Sequence, residues 1–447
     1  MASAAEQLAA NVNWSAFAKA TELQKRLWFT LGALVVFRLG TYIPVPGVDP
    51  AIMRDVFEQN ANGVFGMFNV FAGGALERMT IFALNVMPYI SASIIMQLMT
   101  TISPTVEQWK KEGEQGRKKI NQYTRYGTVI LAAFQAYGIA IGLEGLEGSG
   151  GNAVSDPGAF FRFSTVVTLT GGTMFLMWLG EQITSRGVGN GISLIIFAGI
   201  VAELPSALAG TLELGRLGTL STGIILFLII LIVAVIAFIV YMERAQRKVL
   251  VQYPKRQMGN RMVGGETSHL PLKLNTAGVI PPIFASSLLL MPVTVAQFSQ
   301  GQGPEWIQTI VALLGRGQPL YPALYIGGII FFCFFYTSVV FNPQDTADNL
   351  KKNGGFVPGI RPGQRTAEHL DYILTRITVI GAAYLTAVCL LPGLLISQWG
   401  VPFYFGGTSL LIVVSVTMDT VGQVQSHLLA HQYEGLIKKS RLRGARR

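Results

Sequence analysis

Uncharged apolar runs recur along the whole chain, and each is close to the length that a helix needs to cross a bilayer. A helix rises about 1.5 Å per residue, so about 20 apolar residues cross the ~30 Å hydrocarbon core. The runs that fit this length predict ten transmembrane helices. Their approximate bounds are 27–43, 77–101, 127–143, 160–181, 191–210, 220–242, 276–297, 320–341, 377–395 and 403–424.

The composition agrees with a chain that lies mostly in lipid. Hydrophobic residues make up 51% of the chain and charged residues only 13%, whereas a soluble domain carries about 25% charged residues. So little polar surface cannot cover a folded domain in water. The pattern therefore predicts an all-α polytopic membrane protein with ten transmembrane helices and both termini on one side.

Lysine and arginine residues are distributed unevenly between the loops of this topology. Cytoplasmic loops collect these residues, and the segments on the same side as the termini hold 28 of the 34. The other six are Arg38, Arg54, Arg78, Arg162, Arg216 and Arg316. The split predicts that both termini are cytoplasmic, and it accounts for the net charge of +10 without a nucleic-acid partner.

The spans form a single membrane domain over residues 1–447, because no soluble module interrupts them and the connections are modest loops. They divide into an N-terminal half at about 20–210 and a C-terminal half at about 220–425, followed by a cytoplasmic tail at 426–447. Five spans per half place the two halves in opposite orientations, which is the arrangement of an inverted repeat.

One apolar stretch, residues 64–74, is too short to cross a bilayer. It follows the turn-forming pair Asn62 and Gly63 and ends in Gly73 and Gly74, just before the second span. Short apolar segments of this kind are re-entrant or interfacial. The pattern fits a helix on the outer membrane surface and a helix that dips into a central cavity equally well.

Motifs for enzymatic chemistry are missing from the sequence. The dipeptide Gly-Lys does not occur, so a Walker phosphate-binding loop is excluded, and neither HExxH nor CxxC is present. His427 and His431 lie one helical turn apart without a third ligand beside them. We expect no enzyme activity, no cofactor and no metal site.

Charged residues inside the spans would indicate ion-coupled transport, because each costs about 2.5–3.5 kcal/mol to insert. The sixth, seventh and eighth spans have no charge in their interior, and Glu181, Glu203 and Asp419 lie toward the ends of theirs. This scarcity disfavours an ion-coupled secondary transporter of a small solute, which stays as the alternative function.

Two spans combine proline with uncharged polar residues. Proline removes a helix hydrogen bond and bends the helix, so Pro88 predicts a kink in the second span and the pair Pro281 and Pro282 a hinge in the seventh. Hydroxyl and amide side chains hydrogen-bond between membrane helices. Those in the two spans are Asn85, Ser91, Ser93, Gln97, Thr276, Ser286 and Ser287.

Several stretches together resemble the SecY family of translocon pore subunits. They run in order along the whole chain from about residue 20, which makes the resemblance specific. The stretches are NVMPYISASIIMQL (85–98), KKEGEQGRKKINQYTRYGT (110–128), MFLMWLGEQIT (174–184), GNGISLIIFAGI (189–200), HLPLKLNTAGVIPPIFASS (269–287), FCFFYTSVVFNPQDTADNLKKNGGFVPGIRPGQRT (332–366) and VPFYFGGTSLLIVV (401–414).

The resemblance implies two inverted five-helix halves around a central pore, closed at its waist by a ring of apolar side chains. By motif, the pore ring consists of Val86, Ile90, Ile192, Ile196, Ile283 and Ile412. Val86 with Ile90, and Ile192 with Ile196, are i, i+4 pairs that share one helix face. An apolar constriction of this kind gates by dewetting.

The resemblance also assigns a plug, a lateral gate and docking loops. The plug helix closes the outer side and consists of Phe65, Gly66, Met67, Phe68, Asn69, Val70, Phe71, Ala72, Gly73 and Gly74. The lateral gate lies between the second and seventh spans, at Ser91, Gln97, Ser286 and Ser287. The docking residues for SecA or the ribosome are Arg361, Arg244, Arg247, Lys255 and Arg256, in loops 243–275 and 342–376.

The implied activity is that of the central protein-conducting channel of the Sec translocase in the bacterial cell inner membrane. Unfolded secretory polypeptides would cross it, and membrane segments would leave sideways into lipid. The implied partners are SecE, SecG, the SecA ATPase, the translating ribosome, signal peptides and membrane lipid. The basic docking residues are also able to contact ribosomal RNA phosphates.

Overall fold

The structure is a computed structural model of the chain. It describes residues 20–60, 69, 72–145, 147–148, 151–218, 221–254, 256–258, 261–263, 267–298, 320–399 and 407–444.

Helices account for most of the described residues, as the apolar runs predict. In the N-terminal half they are α1 (Thr21–Gly40), α2 (Pro50–Asn60), α3 (Met87–Ile102), α4 (Pro104–Lys111), α5 (Glu114–Glu144), α6 (Ala159–Arg186) and α7 (Gly191–Arg216). In the C-terminal half they are α8 (Thr222–Arg244), α9 (Ile280–Phe298), α10 (Leu320–Val340), α11 (Pro343–Lys352), α12 (Gln364–Trp399) and α13 (Gly407–Gly444).

Seven helices in the described part of the chain are long and apolar enough to cross a membrane. These segments are Glu114–Glu144, Ala159–Arg186, Gly191–Glu213, Gly223–Arg244, Leu320–Lys352, Gln364–Leu391 and Gly407–Ala430. The apolar parts of α3 and α9 are shorter, and α1 includes several charged residues. The polytopic helical fold is confirmed, while the count of ten spans stays a prediction.

The second predicted span, 77–101, is wrong at its N-terminal end. Residues 73–79 and 81–86 form turns, and the helix begins only at Met87. Met79 and Asn85 have positive φ angles of 44° and 49°, a conformation that no α-helix contains. Pro88 lies in the first turn of the helix. The N–H groups of this turn have no intrahelical acceptor, so a proline there removes no hydrogen bond and does not kink the helix.

The hinge predicted at Pro281 and Pro282 is not supported either. Helix α9 begins at Ile280, which puts both prolines in the first turn. The first four N–H groups of a helix have no intrahelical acceptor, so neither proline removes a helix hydrogen bond. Pro205, in contrast, lies in the interior of α7.

Small residues allow close packing between the membrane helices. Ala132, Ala136 and Ala140 lie one turn apart on α5, and each is fully buried, in a helix that packs against α6. Such stripes of small residues let two helix backbones approach closely in lipid, where no hydrophobic drive brings helices together.

Strands occur in the connection between α8 and α9, where the sequence predicts only a loop. Strand β3 (Gln246–Gln252) pairs with the antiparallel strand β6 (Thr267–Lys273), and β4 (Arg256–Met258) pairs with β5 (Arg261–Val263). We label β1 (Glu147–Gly148) and β2 (Gly151–Asn152) as the short hairpin between α5 and α6. Val249 and Val251 alternate with exposed residues along β3, which is the pattern of a half-buried strand.

Candidate functional site

The first two ring residues lie where the turns before α3 meet the helix. Val86 occupies the N-cap position of α3 rather than the helix itself, and its carbonyl accepts a hydrogen bond from the N–H of Ile90 at 3.1 Å. The two side chains are 1% and 7% exposed. The pairing predicted from i, i+4 spacing is therefore geometrically available, although it begins one residue outside the helix.

The next two, Ile192 and Ile196, lie in the first two turns of α7. The turn before this helix is held by its polar groups: the Asn190 side chain accepts from the N–H of Ile192 at 3.2 Å, and Gly191 N–H donates to Thr184 Oγ1 at 2.8 Å. Ile196 is buried and Ile192 is half-buried. These hydrogen bonds fix where α7 begins, and thereby the positions of Ile192 and Ile196 along it.

Gly191 brings α7 unusually close to α6. A methyl group at this position would overlap the carbonyl oxygen of Gly180, so the two backbones touch there. A methyl group on Gly180 would in turn lie 3.0 Å from the Cδ1 atom of Ile192. The position of Ile192 therefore depends on two glycines at this helix crossing.

The remaining ring residues come from the C-terminal half. Ile412 on α13 is 1% exposed, and Ile283 on α9 is half-buried. All six lie in one hydrophobic cluster, with Ile192 and Ile283 at its edge. Four of the six, Val86, Ile90, Ile196 and Ile283, also line a common cavity, while the placement of Ile192 and Ile412 in the ring stays a prediction.

A small apolar cavity lies within this cluster. Its lining consists of Asn85, Val86, Met87, Ile90, Ile196 and Ile283. The cavity volume is about 10 Å³, which is the lower limit for a single water molecule. A cavity of this size holds at most one water molecule, and its mainly apolar lining offers an ion little replacement for its hydration shell.

The predicted plug falls mostly outside the described residues. The described plug residues are Asn69, Ala72, Gly73 and Gly74, and all four are buried. The plug residues outside the described ranges are Phe65, Gly66, Met67, Phe68, Val70 and Phe71.

Two contacts join the described plug residues to their surroundings. Arg38 Nη1 on α1 donates to the Gly73 carbonyl at 2.7 Å. Asn69 Nδ2 donates to Glu77 Oε2 at 3.2 Å, and Glu77 N–H donates to Asn69 Oδ1 at 3.0 Å. Arg54 holds the same carboxylate in an ion pair at 3.0 Å. This outer end is thus fixed by polar contacts, unlike the ring.

Charged residues around Gly74 were not assigned a role from the sequence. The Glu203 carboxylate lies beside Gly74, because a methyl group there would come within 2.6 Å of Glu203 Oε1. Arg38 and Arg78 both stack on the Tyr42 ring, at 4.9 and 4.5 Å from its centroid. Helix α7 extends to Arg216, so Glu203 lies mid-helix and not toward its end.

The predicted gate residues lie on two helices that pack together, α3 and α9. Ser286 and Ser287 are buried, and Ser91 and Gln97 are half-buried. Both serines donate to the Ile283 carbonyl of their own helix, at 2.9 and 2.8 Å. Gln97 Oε1 is a buried atom without a hydrogen-bond partner among the described residues. Between these two helices, Ser287 Oγ and Met87 Sδ form a hydrogen bond at 3.9 Å.

The docking loops meet in a single unit. Gln252 at the end of β3 exchanges two backbone hydrogen bonds with Phe356, at 2.9 and 3.0 Å. Val249 and Leu272 of the hairpin share a buried cluster with Val357 and with α12. The two loops that the sequence treats separately are therefore joined through backbone and core.

Exposed basic side chains lie on this unit. Arg361 is exposed, and its carbonyl accepts from Thr366 Oγ1 at 2.9 Å. Arg244 and Arg247 are exposed at the end of α8 and on β3. Arg256 opens β4, and Lys255 lies outside the described residues. No group of three His, Cys, Asp or Glu residues lies together in the described ranges.

Comparison with known proteins gives consistent matches. The family model SecY matches residues 80–421. The protein translocase subunit SecY of Escherichia coli strain K12 is 56% identical over 424 residues, which cover 95% of this chain and 96% of that protein.

Solved structures share the fold. One described as the structure of a protein conducting channel has a TM-score of 0.62 at 19% identity, covering 91% of this chain and 92% of that one. Sec61 in the canine ribosome-channel complex from the endoplasmic reticulum has a TM-score of 0.59 at 19% identity, with the same coverage of both chains.

Proposed function

The chain belongs to the SecY family, and from this premise we propose that it is the central protein-conducting channel of the Sec translocase. Unfolded secretory polypeptides pass through its waist, and apolar membrane segments leave sideways into lipid. It is a multi-pass membrane protein and acts as a channel subunit rather than as an enzyme.

The observation that carries the proposal is the large apolar cluster to which the six ring residues belong or against which they pack. A translocating chain presents every kind of side chain, so a site that passes it must offer no fixed polar partners. Branched apolar side chains meet this need, since they repel ions by dewetting and yield to a passing polypeptide. The cavity of about 10 Å³ among them fits a closed state.

Sideways release follows from the chemistry of the substrate. Lipid does not accept unsatisfied backbone groups or charges, whereas an apolar segment of about 20 residues is stable there as a helix. Helices α3 and α9 pack together and carry the proposed gate residues Ser91, Gln97, Ser286 and Ser287. Separation of these helices would open a path from the waist to lipid.

The plug assignment is part of the same proposal. Residues 65–74 would close the outer side of the pore, with Asn69 held by Glu77 and the Gly73 carbonyl held by Arg38. Both contacts are hydrogen bonds to partially exposed groups, which exchange readily with water. They would keep the plug seated at rest and still allow it to leave when a chain enters.

The family comparison supports the channel over the ion-coupled transporter. Glu203 is the charged group that lies mid-span in α7, and it faces Gly74 of the plug. A coupled transporter would instead need a binding site for solute and ion near the bilayer midplane. The waist offers a small apolar cavity at the corresponding place.

External partners would supply the driving force. Sec61 in the canine complex is bound to a ribosome, and we propose that the unit holding Arg244, Arg247 and Arg361 receives the translating ribosome or the SecA ATPase. Lys255 and Arg256 would add to the same basic surface, which attracts ribosomal RNA phosphates and acidic protein patches. SecE and SecG complete the proposed complex.

The proposed topology follows the charge distribution. With 28 of 34 basic residues on one side, both termini face the cytoplasm of a bacterial cell and the spans cross its inner membrane. Residues 1–447 form one membrane domain, with halves at about 20–210 and 220–425 and a tail at 426–447. The ring cluster supports a shared core, because it takes residues from both halves.

Protease protection of a secretory precursor tests the function and the docking site together. Vesicles that contain this chain, SecE and SecA should protect the precursor in an ATP-dependent manner. Arg361→Glu should abolish protection, because it places a negative charge where an acidic or phosphate surface docks. Arg216→Glu is the matched control, since this arginine is exposed on the opposite side of the proposed topology.

The outcomes separate the two claims. Protection that is lost only in Arg361→Glu supports the channel and the docking loop. Equal protection in both variants clears Arg361 of this role. A folded wild-type complex without any protection contradicts the channel and returns the transporter to consideration, which solute uptake into the same vesicles would then test.

A further inference from the structure

The ammonium group of Lys110 crosses the boundary between the two halves. Lys110 lies in α4, which follows α3 directly, and its Nζ atom donates a hydrogen bond to the carbonyl of Val339 at 3.0 Å. Val339 lies at the C-terminal end of α10, which packs on α9. The contact therefore connects the helix after α3 with the helix beside α9, at one end of the proposed gate.

The Val339 carbonyl is a suitable acceptor for a specific reason. The last carbonyls of a helix lack intrahelical partners and carry the negative end of its dipole. The residue four positions after Val339 is Pro343, which has no N–H to offer. A lysine ammonium satisfies such a carbonyl and is favoured by the dipole as well.

The N-terminal half holds Lys110 in place through its neighbours. Trp109 stacks on Tyr123 of α5 with ring centroids 5.2 Å apart, and Val106 of α4 is buried. Lys111, the next residue, is committed to Glu107 of its own helix at 2.7 Å, and this hydrogen bond raises the pKa of Lys111. Adjacent lysines thus differ: Lys110 donates a hydrogen bond to the other half, whereas Lys111 is bonded within its own helix and interacts with Asp345 of the other half only through charge.

We infer that Lys110 is a clasp that holds the cytoplasmic end of the lateral gate closed and thereby sets how apolar a segment must be to leave for lipid. The inference rests on the proposed channel function. The hydrogen bond between Ser287 Oγ and Met87 Sδ also crosses the gate, but a thioether sulfur is a weak acceptor. Lys110 therefore makes the stronger of these two polar contacts.

Gate opening is measurable without any transport. Spin labels are attached at Ile130 on α5 and Phe331 on α10, because both positions are exposed on the helix surface. The two natural cysteines, Cys333 and Cys389, are replaced by alanine so that only the introduced sites are labelled. Electron–electron distance measurements on the complex in lipid then report the populations of closed and open gate. Lys110→Met should raise the ratio of open to closed gate by roughly 2- to 5-fold, as expected for an exposed charged contact.

Three further variants distinguish the clasp from a general loss of charge. Lys110→Arg keeps a donor and should restore the wild-type ratio, while Lys110→Glu should open the gate more than Lys110→Met because it repels the helix terminus. Lys111→Met should leave the ratio unchanged. Equal distance distributions for wild type and Lys110→Met overturn the clasp, and so does an equal shift in Lys111→Met.

Sorting is measured with a series of Ala/Leu segments placed in a translocated precursor. In Lys110→Met, the segment that inserts half the time should contain about one leucine fewer, given the contribution of a single leucine to insertion. An unchanged midpoint in a variant whose gate distances do shift overturns the link to sorting. Failure of the wild-type complex to translocate or insert anything contradicts the proposed function instead, because the distance measurement does not depend on it.

Discussion

Gly191→Ala should loosen the waist, although it adds only a methyl group. The methyl group would overlap the Gly180 carbonyl oxygen, and the Gly180 carbonyl and α carbons lie next in line. Backbone atoms cannot rotate away as a flexible side chain does. Helices α6 and α7 would have to separate by roughly 1.5 Å before the contact becomes an ordinary one.

The expected cost follows from the nature of this contact. Overpacking of a well-packed interior costs about 1–3 kcal/mol, and a clash between backbones belongs at the upper part of that range. The gain in helix propensity from glycine to alanine is at most about 1 kcal/mol, and it is smaller here because Gly191 is the first residue of α7. We therefore expect a net loss of stability of about 1–2 kcal/mol.

The displacement should also affect the seal. Ile192 follows Gly191 directly and packs against the ring cluster, so a displacement of α7 from α6 moves Ile192 and Ile196 relative to the ring residues on the other helices. The assay is ion leak through the purified complex in planar bilayers, combined with thermal unfolding in detergent. Gly191→Ala should raise the resting conductance and lower the unfolding midpoint.

Gly210→Ala is the matched control, because the same substitution on the same helix meets nothing within 4 Å. It should leave the leak unchanged and keep or raise the unfolding midpoint. If Gly191→Ala and Gly210→Ala give the same leak and the same midpoint, the helix crossing does not position the waist and the reasoning is refuted.

Two other substitutions test the waist and the docking unit. Ile412→Ala should lower the free energy of unfolding by about 2–5 kcal/mol and raise the ion leak, because Ile412 is 1% exposed. Ile102→Ala, at a 72% exposed position, is the control and should change neither quantity. Equal effects of the two substitutions would contradict the ring. Asn342→Ala should cost about 0.5–2 kcal/mol of local stability in α11, since Asn342 Oδ1 accepts from the N–H of Gln344 at 3.0 Å. Amide hydrogen exchange of α11 measures this loss of stability. Asn353→Ala is the control, because the hydrogen bond from Asn353 to Asn349 uses the backbone N–H and should persist. Unchanged exchange in Asn342→Ala would exclude the cap.

The helical architecture was predictable because lipid imposes a length and a polarity on every span. The described helices begin and end near the predicted bounds, with α5, α12 and α13 extending well beyond the apolar runs. The second span shows where this logic stops. Residues 79–86 are mostly apolar, as a span requires, but the positive φ angles of Met79 and Asn85 depend on packing and are not visible in the hydropathy of the sequence.

The candidate site was predictable only in its apolar part. Branched residues at i, i+4 spacing share one helix face, and the family motif assigns them to the ring, which stays a prediction. The charged residues near the plug were not predicted, since Arg38 and Glu203 are distant in sequence and approach Gly73 and Gly74 only in the folded chain. The alternation of Val249 and Val251 with polar or exposed residues is the sequence pattern of the β3 strand, although a strand this short has no signal in the hydropathy of a membrane span.

The pairing of Gln252 with Phe356 has a consequence for how this surface changes over generations. The joint uses main-chain N–H and C=O groups in both directions, so it places no demand on either side chain. Exposed side chains near this joint are therefore free to change charge and size, while the backbone pairing and the buried Val249, Leu272 and Val357 hold the two loops together. The surface charge of this unit can therefore change in evolution without a change in the arrangement of its two loops.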